Sequence, residues 1–462
     1  MTQPATAQKL TCFKAYDIRG RLGHDLDEDI AARIARGFVE ALDARRVVIG
    51  RDTRQSSRAL SDAVSGALVD SGVEVLDLGL SGTEEMYFAV SHLDACGGIC
   101  VTASHNPMDY NGMKMVQRGS APLGSASGLG RVQELAEAGQ FRAPREGGFV
   151  RDVSDCRAAY VDRVLSFVDP ATLAPLHILV NAGNGAAGPT FDAIADELAA
   201  RGAKLTFTRL HHEPDPSFPN GIPNPLLAEN QPVTANAVRE AGADLGVAWD
   251  GDFDRCFFFD EKGDFIDGEY IVALLAGAFL ADNPGAGIVH DPRVIWGTQD
   301  MVARAGGEAI QSRTGHAFIK QIMRETGAVY GGEMSAHHYF RDFMFCDSGM
   351  IPWLLVVKLL SLRGQPLSEL VRELRSDFPS SGEINMYPAD TKAAINRVIS
   401  TYEPLANARD DTDGVSFSFD DWRFNLRSSN TEPVLRLNVE GRGNPELVRA
   451  KADEIRALIE QS

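Results

Sequence analysis

One plan recurs three times along the first three-quarters of the chain, and it restricts the fold more than any other feature of the sequence. A short apolar strand ends in glycine or polar residues at 47–52, 178–183 and 288–293, and a helical stretch follows each. A second apolar strand comes at 74–78, 204–208 and 308–311. A third then runs into a polar loop: 98–101 into 102–107, 244–248 into 249–255, and 328–330 into 331–337. Strands alternating with helices predict mainly parallel sheets with helices on both faces, and such sheets bind ligands beyond the carboxyl ends of their strands. The expected fold is α/β: three related mixed, mainly parallel sheet domains arranged around a central cleft on which the polar loops converge. From about Gln365 the pattern changes. A linker at 362–366 leads to an amphipathic helix at 367–378, alternating strands at 415–419 and 434–439, and a final helix at 445–459. This segment reads as a small C-terminal α+β domain whose most polar loop is 427–433.

Composition narrows the function. The net charge of −19 comes without any Lys/Arg-rich run, which argues against a nucleic-acid or anionic-membrane surface. A protein this acidic that binds phosphates must gather its cations locally. Its six cysteines form no C-x-x-C pair and no zinc spacing, so reduced thiols and a cytoplasmic location are expected. The start lacks the apolar core of a signal peptide. The apolar stretches 270–280 and 350–360 are too short to span a bilayer and read as buried helices.

Four polar loops carry candidate chemistry. In Thr102-Ala-Ser-His-Asn-Pro107 a strand stops at a turn that Pro107 keeps from continuing. Ser104 stands there beside His105, with Lys114 close behind. The same residues also suit an ordinary turn. Asp250-Gly-Asp-Phe-Asp254 sets three carboxylates at alternate positions, which share a face in extended backbone. Oxygen ligands alone favour Mg²⁺, Mn²⁺ or Ca²⁺. An EF-hand is excluded, because its sixth position is Arg255 and the strand-like 256–260 follows where a helix is needed. Gly332-Glu-Met-Ser-Ala-His337 alternates Glu333, Ser335 and His337, which aim one way if extended and suit sugar hydroxyls. Arg427-Ser-Ser-Asn-Thr431 combines a guanidinium with small donors, a set suited to a tetrahedral oxyanion. Arginines in turns at 16–20 and 51–54 add to the phosphate signal. Gly183, Gly185 and Gly188 match a dinucleotide fingerprint, but Thr208 and Arg209 stand where its acid belongs. A tight turn with helix packing is the favoured reading of that run.

Taken in order, the four loops resemble the signature loops of the α-D-phosphohexomutases, and the chain is most similar to the bacterial phosphomannomutase/phosphoglucomutase branch. The resemblance spans nearly the whole length and includes Tyr16-Asp-Ile-Arg-Gly20 and Asp109-Tyr-Asn-Gly112 with Lys114. It implies a phosphoserine domain at 1–150, a metal-binding domain at 151–254, a sugar-binding domain at 255–366 and a phosphate-binding domain at 367–462. Ser104 would carry the phosphoryl group, and Ser104, Asp250, Asp252 and Asp254 would hold Mg²⁺. Arg19, Lys114, Arg255 and His316 match positions beside the transferring group, with His105, Lys114 and His316 all open as the proton carrier. Tyr16, Arg293, Glu333, Ser335 and His337 match substrate contacts, and Arg427, Ser429, Asn430 and Thr431 the loop for the other phosphate. Hexose 1-phosphate and hexose 6-phosphate would interconvert through a 1,6-bisphosphate, which also serves as activator. Phosphosugars are the expected partners, with no nucleic acid, no membrane and a monomeric state. Two rivals come from other classes. One is a hydrolase using Ser104 with His105, weakened because neighbours in a strand-like turn point apart and no G-x-S-x-G elbow exists. The other is a Ca²⁺- or sugar-binding module built on the aspartate loop.

Overall fold

The computed structural model describes residues 9–428 and 434–460. Two compact units emerge: the chain up to Phe265 together with Asp342–Gly364, and Ile266–Arg341 together with the chain from Gln365 onward.

The first unit holds two sheets. In the first, Arg46–Arg51 lies between Glu74–Leu80 and Gly97–Val101, parallel to both. Tyr110–Gln117 then returns antiparallel beside Gly97–Val101, and Ile18–Arg21 pairs with its far edge. The second sheet repeats the scheme. His177–Asn181 is flanked in parallel by Thr206–Leu210 and Leu245–Trp249, and Cys256–Phe259 comes back antiparallel. In the second unit Gly287–His290 lies between Glu308–Gln311 and Tyr330–Gly332, with His338–Phe340 returning. The threefold plan therefore holds, and each repeat has a fourth strand, of which the sequence pattern showed only the one at 256–260. Each polar loop is the crest of a hairpin between the third strand and the fourth.

Central strands are apolar because helices cover both faces. Gly97–Val101 and Leu245–Trp249 are buried throughout. Helix Glu28–Leu42 sets Ile30, Ile34 and Phe38 against Val47, Ile49, Ile99 and Val101. Its start is fixed by Asp27, whose carboxylate accepts from the Ile30 amide at 2.8 Å.

The C-terminal strands form an antiparallel sheet in the order Ser380–Met386, Leu435–Gly441, Trp422–Ser428, Val415–Ser418, Ala408–Asp410. Helices Thr391–Tyr402 and Pro445–Glu460 pack Val398, Tyr402, Ile455 and Ile459 onto it. The two apolar stretches are buried helices, Gly268–Asp282 and Met350–Arg363. No described helix is long and apolar enough to cross a membrane. All six cysteines are free thiols.

Candidate active site

The serine hairpin of the first unit is held by its own backbone. Ser104 adopts a left-handed conformation, φ 49°. Its amide donates to Thr102 Oγ1 at 2.8 Å, and the Asn106 amide to the Ala103 carbonyl at 2.9 Å. Buried Arg54 spreads its guanidinium under the loop, donating to the carbonyls of Ser104 (2.9 Å), Pro107 (2.8 Å), Tyr110 (3.2 Å) and Asn106. Arg54, from the turn at 51–54, is therefore a strut for the serine turn. The turn also brings neighbours together: Ser104 Oγ lies 3.0 Å from His105 Nδ1. The expectation that these side chains point apart fails because the left-handed residue breaks the alternation of a strand. The Arg255 Nη2 group donates to the same His105 Nδ1 at 3.1 Å, occupying the lone pair that a serine base needs.

The aspartate hairpin is a turn rather than extended backbone. Phe253 has φ 45°, and its amide donates to the Asp250 carbonyl at 3.1 Å. The three carboxylates nevertheless meet, with ligand oxygens of Asp250, Asp252 and Asp254 within 4.8 Å of one another and all three residues fully buried. Two close approaches position this loop. A Cβ at Gly251 would stand 2.7 Å from the Ser104 carbonyl oxygen, and one at Gly82 would stand 2.2 Å from the Phe253 ring. The glycine run 183–188 lies against the same loop, the Ala186 amide donating to the Gly251 carbonyl at 3.2 Å.

Charge in this cluster is densely paired. Ser104 Oγ donates to Asp250 Oδ2 at 2.6 Å, and Thr83 Oγ1 to Asp252 Oδ2 at 2.6 Å. Lys114 Nζ donates to Asp252 Oδ2 at 2.7 Å and also to Asp254. Arg255 Nε lies 3.6 Å from Asp250 Oδ2. Arg19 is braced by Asp17 at 2.9 Å and reaches the Thr102 carbonyl at 3.2 Å. Burial opposes the charged form of Lys114, but Asp252 and Asp254 outweigh it and raise its pKa. Burial and Asp254 raise the Asp250 pKa. Burial, with Arg255 and Arg19 beside it, pushes the His105 imidazole well down and keeps it neutral. Asp250 and Asp252 each hold a second oxygen, Oδ1, that is buried without a hydrogen-bond partner among the described residues. Unbonded buried carboxylate oxygens are expensive unless a cation takes them, so the donor set fits a hard divalent ion.

In the second unit, Glu333, Ser335 and His337 lie in a tight crest, not the extended run expected. The Glu333 amide donates to the His337 carbonyl and the Ala336 amide to the Glu333 carbonyl, both at 3.0 Å, and Ala336 has φ 69°. The turn folds His337 Nδ1 to 3.0 Å from Glu333 Oε2. Glu333 also accepts from Tyr339 Oη at 2.6 Å and the Gly315 amide at 2.9 Å, just before His316 opens the helix His316–Thr326. Burial disfavours its carboxylate, yet His337 and Arg293 hold its pKa below the usual range. Arg293 donates through Nη2 to Asp291 Oδ2 at 2.6 Å and Ser335 Oγ at 3.2 Å, and its Nη1 lies 3.4 Å from Glu383 Oε2. Arg427 Nη2 donates to the same Glu383 oxygen at 2.9 Å. Tyr16 sits half-buried in the turn before Ile18–Arg21 in the first unit. Ser429, Asn430 and Thr431 lie outside the described residues.

Sequence reasoning missed Thr83, Asp291, Tyr339, Glu383 and Arg436, whose Nε lies 3.6 Å from Glu383 Oε1. Asp291 was visible as the acid ending the strand at 288, next to Pro292. Glu383 had no local signal.

Comparison with known proteins gives one answer along the chain. Phosphoglucomutase/phosphomannomutase α/β/α domains I, II and III match residues 10–142, 158–263 and 267–378, and the C-terminal domain matches 383–458. The phosphomannomutase of Salmonella montevideo is 58% identical over 452 residues, covering 97% of this chain and 99% of the relative. That of Escherichia coli K12 is 56% identical over 456 residues, covering 98% and 100%. A crystal structure of a phosphoglucomutase/phosphomannomutase family protein from Burkholderia thailandensis superposes with a TM-score of 0.86 at 32% identity, covering 97% of this chain and 96% of that one. With all four domains matched in order and over half the residues shared with whole-length relatives, this chain belongs to the phosphoglucomutase/phosphomannomutase family and is a mutase.

Proposed function

We propose that the protein interconverts hexose 1-phosphate and hexose 6-phosphate, of mannose, glucose or both, by way of a phosphoserine at Ser104 and a hexose 1,6-bisphosphate. The observation that carries this reading is the contact of Ser104 Oγ with Asp250 at 2.6 Å in a buried set of three aspartates, Lys114 and Arg255. Phosphoryl transfer depends on charge placement more than on covalent catalysis. In each half-cycle the P–O bond to one oxygen breaks as a P–O bond to the other forms. The accepting hydroxyl releases its proton, with His105, Lys114 and His316 the groups available to carry it.

Asp250, Asp252, Asp254 and the phosphoserine would hold Mg²⁺, which when bound neutralises the charge that a phosphate brings beside three carboxylates. Lys114 and Arg255 supply fixed positive charge, and Arg19 adds a third cation braced by Asp17. Glu333, Ser335 and His337 take sugar hydroxyls, with Arg293 and Tyr16 as further substrate contacts. Arg427, Ser429, Asn430 and Thr431 take the phosphate that is not in transfer. The roles follow the segments 1–150, 151–254, 255–366 and 367–462: phosphoserine, metal, sugar and distal phosphate. The bisphosphate doubles as the activator that charges Ser104, and the working form is a cytoplasmic monomer.

Intact mass and peptide mapping of purified protein test this directly. The expected result is one phosphate on Ser104, discharged by glucose 1-phosphate with formation of bisphosphate. An active protein never phosphorylated at Ser104 overturns the reading.

A further inference from the structure

We propose that Glu383 is a displaceable internal counter-ion of a phosphate subsite formed by Arg427 and Arg436, competing with the ligand's phosphate for their guanidiniums. The identity of that ligand rests on the mutase reading; the competition does not.

Arg427 reaches Glu383 through Nη2 at 2.9 Å, and Arg436 through Nε at 3.6 Å. Among the described residues, Glu383 is the only carboxylate paired with either arginine. The third guanidinium nearby, Arg293, is already met by Asp291 at 2.6 Å. Arg427 is nine-tenths buried, and its Nε has no hydrogen-bond partner among the described residues. One carboxylate is thus divided among three forks, Arg427, Arg436 and, at 3.4 Å, Arg293 Nη1, and among the described residues it is the sole acid of the first two. It bonds Arg427 through a single nitrogen and stands beyond hydrogen-bond reach of Arg436.

A phosphate monoester carries about two negative charges and three terminal oxygens, so it can satisfy both forks, which favour bidentate oxyanions. Glu383 is placed for the exchange. It lies on the strand Ser380–Met386 just past an irregularity in pairing with Leu435–Gly441, and Gly382 there has φ 64°. Such a break re-aims a side chain out of the regular ladder. Its three side-chain torsions let the carboxylate swing aside. The consequence is moderated affinity: phosphate enters only by displacing Glu383, and Glu383 returns to help release it. An enzyme whose bisphosphate must let go, turn and bind again needs such a grip.

The test is calorimetric titration of inorganic phosphate into the full-length wild type, Glu383→Gln, Arg436→Gln and the double variant Glu383→Gln/Arg427→Gln. Glu383→Gln should bind on the order of tenfold tighter, as when one partly buried ion pair no longer has to be broken. Arg436→Gln should bind more weakly, and the double variant should lose the gain. Unchanged or weaker binding in Glu383→Gln, or a gain that survives loss of Arg427, overturns the proposal. Should Glu383→Gln not fold, Glu383→Asp keeps the charge on a shorter arm and should bind a few-fold tighter; no gain there overturns it equally. In turnover of glucose 1-phosphate, Glu383→Gln should lower KM and kcat together, whereas a merely structural role would raise KM. Tighter phosphate binding in a protein that turns over no hexose phosphate overturns the mutase reading and supports this inference.

Discussion

At the crest between its third and fourth strands, the sheet built on His177–Asn181 carries three buried aspartates, while the sheet built on Gly287–His290 carries Glu333, Ser335 and His337, with Arg293 donating to Ser335. The topology is the same and the electrostatics are opposite. Around the aspartates, acids gather closely enough that two carboxylate oxygens have no hydrogen-bond partner among the described residues. In the second unit every acid drawn into the cluster has an arginine against it: Asp291 and Glu333 with Arg293, Glu383 with Arg427 and Arg436. The repeat thus specifies where a loop stands, and its side chains decide whether its acids crowd one another or each meets a guanidinium.

The sharpest way to break this contrast is Ser104→Ala. It removes only the hydroxyl that touches Asp250, so turnover should fall at least about 10⁴-fold, while unfolding and inorganic phosphate binding stay as in wild type. Measurable mutase activity in that variant ends the phosphoserine reading. A second variant strains the arginine side. Arg423 and Glu440 are a fully buried pair at 2.7 Å; Arg423 donates to the carbonyls of Pro292 and Arg293, and Glu440 accepts from the amides of Ile295 and Trp296. Glu440→Gln leaves a buried guanidinium uncompensated and should destabilise the protein by about 3–5 kcal/mol in denaturant unfolding. A loss under 1 kcal/mol means the pair is not what holds the loop behind Arg293.

The parts of this arrangement that a linear reading can reach are those written in local patterns. The three parallel strands of each repeat were visible as apolar runs, and the four loops as clusters of chemistry. Of the returning strands only 256–260 was, and Tyr110–Gln117 shows why the others were not: Asn111, Gly112 and Lys114 break its apolar character, yet all three are buried. Asn111 is used to bind Ser56 and Ser57, and Lys114 to meet Asp252 and Asp254. Loop geometry was misjudged for a related reason. Alternation predicted extended backbone at 250–254 and 333–337, but the left-handed Phe253 and Ala336 turn both loops over, and neither residue type announces that conformation. Arg54 drew a functional reading because an arginine fork suits carbonyl oxygens as well as phosphate. Glu383 was silent because its partners lie 44 and 90 positions away.

Ligands discriminate the two regions with less perturbation than mutation. Magnesium at about a hundred times its dissociation constant should stabilise the wild type by about 2.7 kcal/mol, read as a rise in melting temperature. Asp252→Asn should lose that rise and keep the rise given by inorganic phosphate, and Arg427→Gln should do the reverse. A magnesium shift that persists in Asp252→Asn removes the aspartates as the cation site.

The smallest effect tests what a buried acid does when the charge acting on it most is another carboxylate. Glu269, in the first turn of Gly268–Asp282, is buried beside Asp267, and burial followed by that neighbouring carboxylate raises its pKa from the ordinary 4.5 to about 8. A carboxyl that stays protonated in the fold while the unfolded chain ionises near pH 4.5 binds the extra proton in the native state. Stability therefore declines as pH rises between those two values and levels off above the higher one. Because Asp267 shares the titration, the decline is spread and should reach only about 1–2 kcal/mol. Glu269→Gln keeps the shape and removes the proton, so its melting temperature should be flatter from roughly pH 5 to pH 8 and higher than wild type at the alkaline end. If wild type and variant run parallel across that range, Glu269 is ionised in the fold and is stabilised as the aspartates of the first unit are, by charge drawn to it.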